Sequence, residues 1–205
     1  MLVIRSSPSS PFARKVRIAA ALCGLTDRIT IEQAKTSDPE DSLRRQNPLG
    51  KIPILITDDG TTIYDSRVIA EWLDEEAGGG IVIPHGAARF AALALQALAD
   101  GMMDASILII YESRFRPVEK HHQPWLDYQD EKVTRALSVL EAAPPAITGQ
   151  PHIGHIALAC ALGYRDFRFE GNWRAGHPGL VAWLDDFAAK VPAFAATMPA
   201  DPPTA

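Results

Sequence analysis

The chain has 205 residues, 47% of them hydrophobic and 22% charged, with a formal net charge of −5 at pH 7. That balance is ordinary for a soluble globular protein with room for one large domain or two small ones. No basic stripe, leader pattern or apolar run of membrane-spanning length stands out, so neither nucleic acid nor a membrane is expected as a partner.

Leu2-Val3-Ile4 opens a predicted strand ending at Arg5. Ser6 to Ser10 lead into a predicted helix from Pro11 to Cys23, with Ser10 placed as its cap and Pro11 at the first position, where a missing N–H costs nothing. Phe12, Val16, Ala19, Ala20 and Cys23 share one helical face, and Arg14, Lys15 and Arg17 fall off it. A strand feeding a helix start aims several N–H donors and a positive dipole end at one point, which stabilises an anion and pushes a thiol toward thiolate. Read without a ligand, Ser10 is simply a cap. Ile29 to Glu32 is a second strand, and Pro39 to Arg45 a short helix stopped by Asn47-Pro48-Leu49-Gly50. Ile54 to Ile56, the turn Asp58-Asp59-Gly60 and Thr62-Ile63-Tyr64 read as a hairpin. Ser66 is expected to cap a helix with Val68, Ile69, Trp72 and Leu73 on its apolar side.

Gly78-Gly79-Gly80 opens a linker at 78–86, and beyond it strand signals almost vanish. Helices are predicted from Ala87 to about Arg114, from Gln123 to Ala143, from His152 to Phe167 and from Pro178 to Lys190, with a frayed end from Pro199 to Ala205. Trp125, Tyr128, Val133, Leu137 and Leu140 are expected in the core of the second of these. The expected organisation is a mixed α/β unit over 1–77, the linker, and an all-helical unit over 87–205. Cys23 and Cys160 lie far apart in apolar helical patterns, as reduced core thiols of a cytoplasmic protein would.

Four separated motifs, in order, carry a resemblance: Ser9-Ser10-Pro11-Phe12 before a basic helix start, Asn47-Pro48-Leu49-Gly50-Lys51-Ile52-Pro53, Tyr64-Asp65-Ser66, and Asp166-Phe167-Arg168. Through them the chain resembles the cytosolic glutathione S-transferase superfamily, in its bacterial-type, serine-using form, over nearly its whole length. The resemblance implies a thioredoxin-like N-terminal domain that binds glutathione, an all-α C-terminal domain that walls the electrophile site, and a homodimer. It implies an enzyme with glutathione as co-substrate and no metal, which activates the thiol as thiolate and conjugates it to a small hydrophobic electrophile or reduces a peroxide with it. Ser10 then becomes the thiol-activating residue, with Ser9 the alternative one residue away. The resemblance also places Phe12 among the glutathione-binding residues. Ile52-Pro53 resembles the family's cis-proline turn, which offers the Ile52 backbone to the cysteinyl segment of the peptide. Lys51 is placed near the glycine carboxylate, with a solvated loop lysine as the alternative. Asp65 and Ser66 are the γ-glutamyl recognition pair, although many relatives have Glu where Asp65 stands. The electrophile pocket is expected between the domains, in the region of Phe12, Met102, Met103, Ser106, Ile109 and Tyr111.

Two departures matter. Where the family has a Ser/Thr-x-x-Asp capping box, this chain has His152-Ile153-Gly154-His155, so a weakened helix cap is expected. Two histidines at that spacing have no third ligand in the sequence pattern, so no metal is expected there. No cysteine stands at Ser9 or Ser10 and no Cys-x-x-Cys follows the first strand, which disfavours thiol-disulfide chemistry. A transferase-like ligand carrier or regulator and a glutathione-dependent isomerase are the competing functions. The isomerase branch carries Ser-Ser-Cys where this chain has Ser10-Pro11-Phe12.

Overall fold

The computed structural model describes residues 1–201. Four strands, β1 (Leu2–Ser6), β2 (Ile29–Gln33), β3 (Ile54–Ile56) and β4 (Thr62–Ile63), form one mixed sheet in the order β2-β1-β3-β4. β1 pairs parallel with β2, and β3 runs antiparallel to both β1 and β4. Strand alternation splits the sheet's two faces. Leu2, Ile4 and Leu55 join α1 (Pro11–Leu22) and α3 (Ser66–Glu76) in the main core. Ile54 faces the other way, toward Ala34 and Leu43 of the one-turn helix α2 (Leu43–Gln46), with Ile56 packed alongside. The sequence pattern placed this helix four residues too early. Asp38 to Asp41 instead fold as turns, and the Arg5 guanidinium pins the segment by contacts with Asp41 and Ser42 at 2.7 Å each and with Gln46 at 2.8 Å.

The rest of the described chain is helical: α4 (Ala87–Phe115), α5 (Gln123–Ala142), α6 (Ile153–Arg168), α7 (Pro178–Lys190) and α8 (Pro192–Ala196). This is the thioredoxin-like sheet domain followed by an all-α domain that the motifs implied. The run of backbone joining them is anchored by one buried carboxylate. Asp74 accepts from the N–H groups of Gly80, Ile81, Val82 and Ile83 at 2.6–3.2 Å. α6 is the central helix, buried from Ile153 through Arg165. Two glycines let it approach its neighbours. A Cβ on Gly154 would stand 2.6 Å from the Ala92 carbonyl of α4, and one on Gly163 would stand 2.5 Å from the Arg14 guanidinium of α1. α4 has the length and composition of a membrane-crossing helix, although it buries Gln96, Asp100, Ser106 and Glu112 against the other helices.

Several expected faces are corrected. Arg14 and Lys15, placed off the apolar face of α1, are buried, because α6 and α4 pack over that side. Arg14 donates to the Phe194 carbonyl at 2.6 Å and lies 3.8 Å over the Phe194 ring. Trp125 and Tyr128 stack on each other at the surface and do not enter the core, whereas Val133, Leu137 and Leu140 do. Val68 is exposed on α3. Pro202 to Ala205 of the expected frayed end lie outside the described residues, and Ala200 and Asp201 are held by contacts taken up below.

Candidate functional site

The strand register brings three motifs to one end of the sheet. β1 leaves the sheet at Ser6, and its neighbour β3 enters there, since Arg5 pairs with Ile54. β4 pairs Ile63 with Leu55, so Tyr64 and Asp65 emerge at that same end. Ser7 to Ser10, Ile52-Pro53 and Asp65-Ser66 therefore surround one edge.

The Ser10 hydroxyl caps α1, accepting from Ala13 N at 3.2 Å, while its own N–H donates to the Ser7 carbonyl at 3.1 Å. A hydroxyl that accepts in this way keeps its proton, so Ser10 can cap and donate at once. Ser9 and Ser7 pair through their hydroxyls at 3.2 Å. Both Ser9 and Ser10 are half-buried.

Asn47 builds the next element. Buried, it accepts from Leu49 N at 3.0 Å and donates to the Lys51 carbonyl at 2.9 Å, closing a turn over Gly50, whose φ of 61° suits glycine. The turn leaves Lys51 exposed and delivers Ile52 to the site edge, followed by a cis Ile52–Pro53 bond as expected. Neither the N–H nor the C=O of Ile52 enters a hydrogen bond among the described residues. The Tyr64–Asp65 bond is also cis.

At α3 the expected cap is corrected. Asp65, not Ser66, is the cap, its Oδ1 accepting from Arg67 N at 2.9 Å. The cause is the extended backbone at Asp65, which turns its short carboxylate back over the first turn. Ser66 is the first helical residue, buried, with its N–H and hydroxyl unpaired among the described residues. Two helix starts, α1 and α3, thus present donors and positive dipole ends at one sheet edge.

Behind that edge lies a charge network that sequence reasoning missed. Lys15 Nζ lies 2.7 and 2.9 Å from the two carboxylate oxygens of Asp100, and Arg67 Nε lies 2.8 Å from Oδ2. Lys15 and Asp100 are sealed from water, so one carboxylate of α4 ties together α1 and α3. Burial pulls the Lys15 ammonium down and Asp100 pulls it back up. One turn along α4, Asp104 has its carboxyl pushed up, first by desolvation and then by Asp100, while Lys51, Arg67 and Lys15 act to lower it. Asp100 and Asp104, two acids one turn apart in an Ala/Leu/Met-rich helix, were the available sequence signal.

Asp104 continues into a stripe of Leu108, Tyr111 and Phe115 along the same side of α4. With Glu112, Arg116, His122 and Trp125 these line a groove of about 560 Å³. Tyr111 is exposed there, but every residue lining this groove belongs to the helical half, whereas the pocket was expected between the domains. Met102, Met103 and Ser106 are sealed in the helical core and leave the pocket list, because their side of α4 is covered by the rest of the bundle. Ile109 and Phe12 are half-buried, with Lys15 Nζ 5.5 Å from the Phe12 ring centroid. Cys23 and Cys160 are free and buried, and burial pushes both thiols up to about 12.

Residues 9–76 match the model of the glutathione S-transferase N-terminal domain, and residues 84–186 match that of the C-terminal domain. The chain belongs to the glutathione S-transferase family. It is 32% identical over 198 residues to the uncharacterized GST-like protein YibF of Escherichia coli strain K12, covering 94% of this chain and 96% of that one. It is 42% identical to a glutathione transferase family member of Pseudomonas fluorescens Pf-5 solved with bound glutathione, each chain covered in full, with a TM-score of 0.89. A second structure from that organism, with bound S-(propanoic acid)-glutathione, aligns over 98% of this chain and all of that one at 42% identity and a TM-score of 0.86. Within this family the Asp166-Phe167-Arg168 motif does structural work here. Asp166 accepts from the Trp173 indole at 2.8 Å and from Arg174 at 2.7 and 2.8 Å, closing the turn after α6.

Proposed function

We propose that the protein is a glutathione transferase that holds glutathione across the sheet edge, with its thiolate at the start of α1. The observation that carries this reading is the convergence of Ser10, Ile52-Pro53 and Ser66, each with unspent hydrogen-bonding capacity, at one sheet end. Ile52 pairs through its backbone with the cysteinyl segment, as an added strand would. Ser66 takes the γ-glutamyl carboxylate at the start of α3, Asp65 the γ-glutamyl ammonium, and Lys51 the glycine carboxylate. Ser10 donates its hydroxyl proton toward the sulfur, and the N-terminal dipole of α1 adds to it. The thiol's own proton leaves to water. A free thiol with a reference pKa near 8.5 is mostly protonated at neutral pH, so this stabilisation sets the fraction able to attack. The groove along Leu108, Tyr111 and Phe115, with Phe12 beside the first turn, receives the hydrophobic electrophile. The relative bound to S-(propanoic acid)-glutathione supports a product in which the sulfur carries a short carbon chain. Reduction of peroxides by the same thiolate is a side activity of this reading, and detoxification in the cytoplasm its setting.

A homodimer belongs to the proposal. Val68 of α3 and Phe90 of α4 are apolar and exposed, 51% and 75%, and sit beside the Arg89–Glu71 ion pair that bridges these helices. A second copy of the chain would cover them. Sedimentation should show a dimer, weakened by Phe90→Glu.

Titrating bound glutathione by thiolate absorbance tests the enzyme reading. The bound thiol should titrate below the free one, and Ser10→Ala should raise its pKa by about one pH unit. Absence of binding at millimolar glutathione would remove the enzyme reading and leave a ligand carrier or regulator.

A further inference from the structure

The outer end of α6 holds a charged cluster that thiol activation leaves unused. Arg168 stacks its guanidinium 4.0 Å over the Phe167 ring and sets Nη1 2.7 Å from Oδ1 of Asp201. Its Nε is sealed from water with no hydrogen-bond partner among the described residues. One turn earlier, burial pushes the Tyr164 hydroxyl up, while Arg168 and then Arg114 act to lower it. Arg114 in turn lies 5.4 Å over the Tyr111 ring, so the cluster joins α6 to the wall of the groove on α4. It also reaches the first turn of the molecule. Ala200 N donates to the Pro8 carbonyl at 3.4 Å, so the segment that delivers Asp201 to Arg168 rests on the loop carrying Ser9 and Ser10.

A guanidinium presents a planar edge of paired N–H donors that a carboxylate fills with two bonds. Asp201 meets Nη1 as an ion pair and leaves Nε without a hydrogen-bond partner among the described residues. The Asp201 side chain is 67% exposed, and among the described residues it is held by that ion pair, with one long hydrogen bond at the neighbouring Ala200. Such an exposed partner contributes little and is easily displaced. Phe167, by contrast, stacks against the arginine head, and the Arg168 side chain is only 17% exposed against 67% for Asp201.

We propose that Arg168, with Tyr164 and Arg114 beside it, is a carboxylate-binding subsite for the electrophile, and that Asp201 occupies it as an internal stand-in which an anionic substrate displaces. The inference rests on the conjugation reading above and names the substrate class, an electrophile bearing a carboxylate. The step it serves is redox-neutral. A sulfur lone pair forms the C–S bond, and either a halide leaves with its bonding pair or the C=C π pair moves to the neighbouring carbon, which takes a proton from water. The carboxylate itself is unchanged.

Calorimetric titration of the full chain with glutathione, S-carboxymethylglutathione and the neutral amide S-carbamoylmethylglutathione tests this. The native protein should prefer the acid over the amide about tenfold or more, the range of a charged hydrogen-bonded contact. Arg168→Gln should erase that preference while changing glutathione affinity less than about twofold, and Arg168→Lys should keep part of it. Asp201→Asn, at an exposed position, should tighten the acid several-fold and leave the amide alone, which keeps the test available should Arg168→Gln fail to fold. No acid preference in the native chain, or a preference that survives Arg168→Gln, overturns the subsite. An equal loss for glutathione alone overturns it too, by assigning Arg168 to the tripeptide. Failure of the native chain to bind glutathione at all is a separate result and removes the conjugation reading beneath it.

Discussion

The starts of α1 and α6 meet the same physical demand with different chemistry. Each has orphan N–H donors, a positive dipole end and a side chain capping it. At α1 the Ser10 hydroxyl accepts from Ala13 N and retains a proton of its own. At α6 the predicted weakness of the cap is corrected. His152 Nδ1 accepts from Gly154 N at 3.1 Å, and His155 Nδ1 accepts from His152 N at 3.2 Å, so a capping box is built from two imidazoles stacked 3.6 Å apart. Both Nδ1 atoms accept, so the protons sit on Nε2 and no donor is left facing the helix start. The Ile153 N–H is taken by the Val82 carbonyl at 2.7 Å, and the Trp183 ring stands 6.2 Å from His155. A helix dipole is common to both ends. What separates the proposed ligand site at α1 from the stability device at α6 is a spare hydroxyl donor on a half-buried residue.

Behind the open end, Lys15, Asp100 and Arg67 fix α1 and α3 to α4, and the largest expected effect lies there. Asp100→Ala should cost about 3–5 kcal/mol, because it strands the buried Lys15 charge. Chemical denaturation should show this as a lower midpoint, and glutathione affinity should fall with it, since both helices proposed to meet the peptide lose their common anchor. A native-like midpoint would mean that Lys15 finds water or another partner.

The closed end predicts a pH effect without a ligand effect. Burial first, then the neighbouring His152 and Lys190, lower the His155 pKa from 6.5 to about 4. The folded value lies below the unfolded one, so the unfolded chain takes up the proton first as pH drops. The His155 contribution is therefore complete above pH 6.5 and is lost between there and pH 4, reaching about 2 kcal/mol by pH 5. His155→Asn should flatten the denaturation midpoint between pH 7.5 and 5 and leave glutathione affinity at neutral pH unchanged. An equally steep pH dependence in the variant would assign it to other groups.

How far these differences were legible follows from the range of the interactions. The strand-helix punctuation at Pro11 and the turn at Gly60 rest on local chemistry, the cis Ile52–Pro53 bond was implied by the family resemblance, and all are present in the structure. The burial of Lys15 was not legible, because its partner is 85 residues away on α4. Periodicity assigns Lys15 to a polar face, and only the packing of α4 shows that this face is internal. Asp65 displaced Ser66 as cap for a finer reason. Both residue types cap well, and the choice between them depends on which one has extended backbone. The imidazole capping box was misjudged because histidine is a poor cap in general, while here a second histidine one turn on supplies the reciprocal acceptor.

The smallest effects decide the sharpest question, which of two adjacent serines makes the open end functional. Ser10→Ala removes the acceptor for Ala13 N and should cost about 1 kcal/mol of stability, as loss of a helix cap does. Among the described residues the Ser9 hydroxyl pairs only with that of Ser7 on a half-buried loop, so Ser9→Ala should stay within about 0.5 kcal/mol. Stability alone therefore ranks Ser10 above Ser9 whatever the chemistry. Ser10→Gly separates the two roles, because glycine at a cap costs only a few tenths of a kcal/mol yet has no hydroxyl to donate. If Ser10 serves the sulfur, the glycine variant keeps most of its stability and still raises the pKa of the bound thiol as far as alanine does. If the thiol titrates as in the native protein, the N–H groups of the first turn carry the thiolate and Ser10 is only their cap. A shift seen with Ser9→Ala alone would move the role one residue back along the loop.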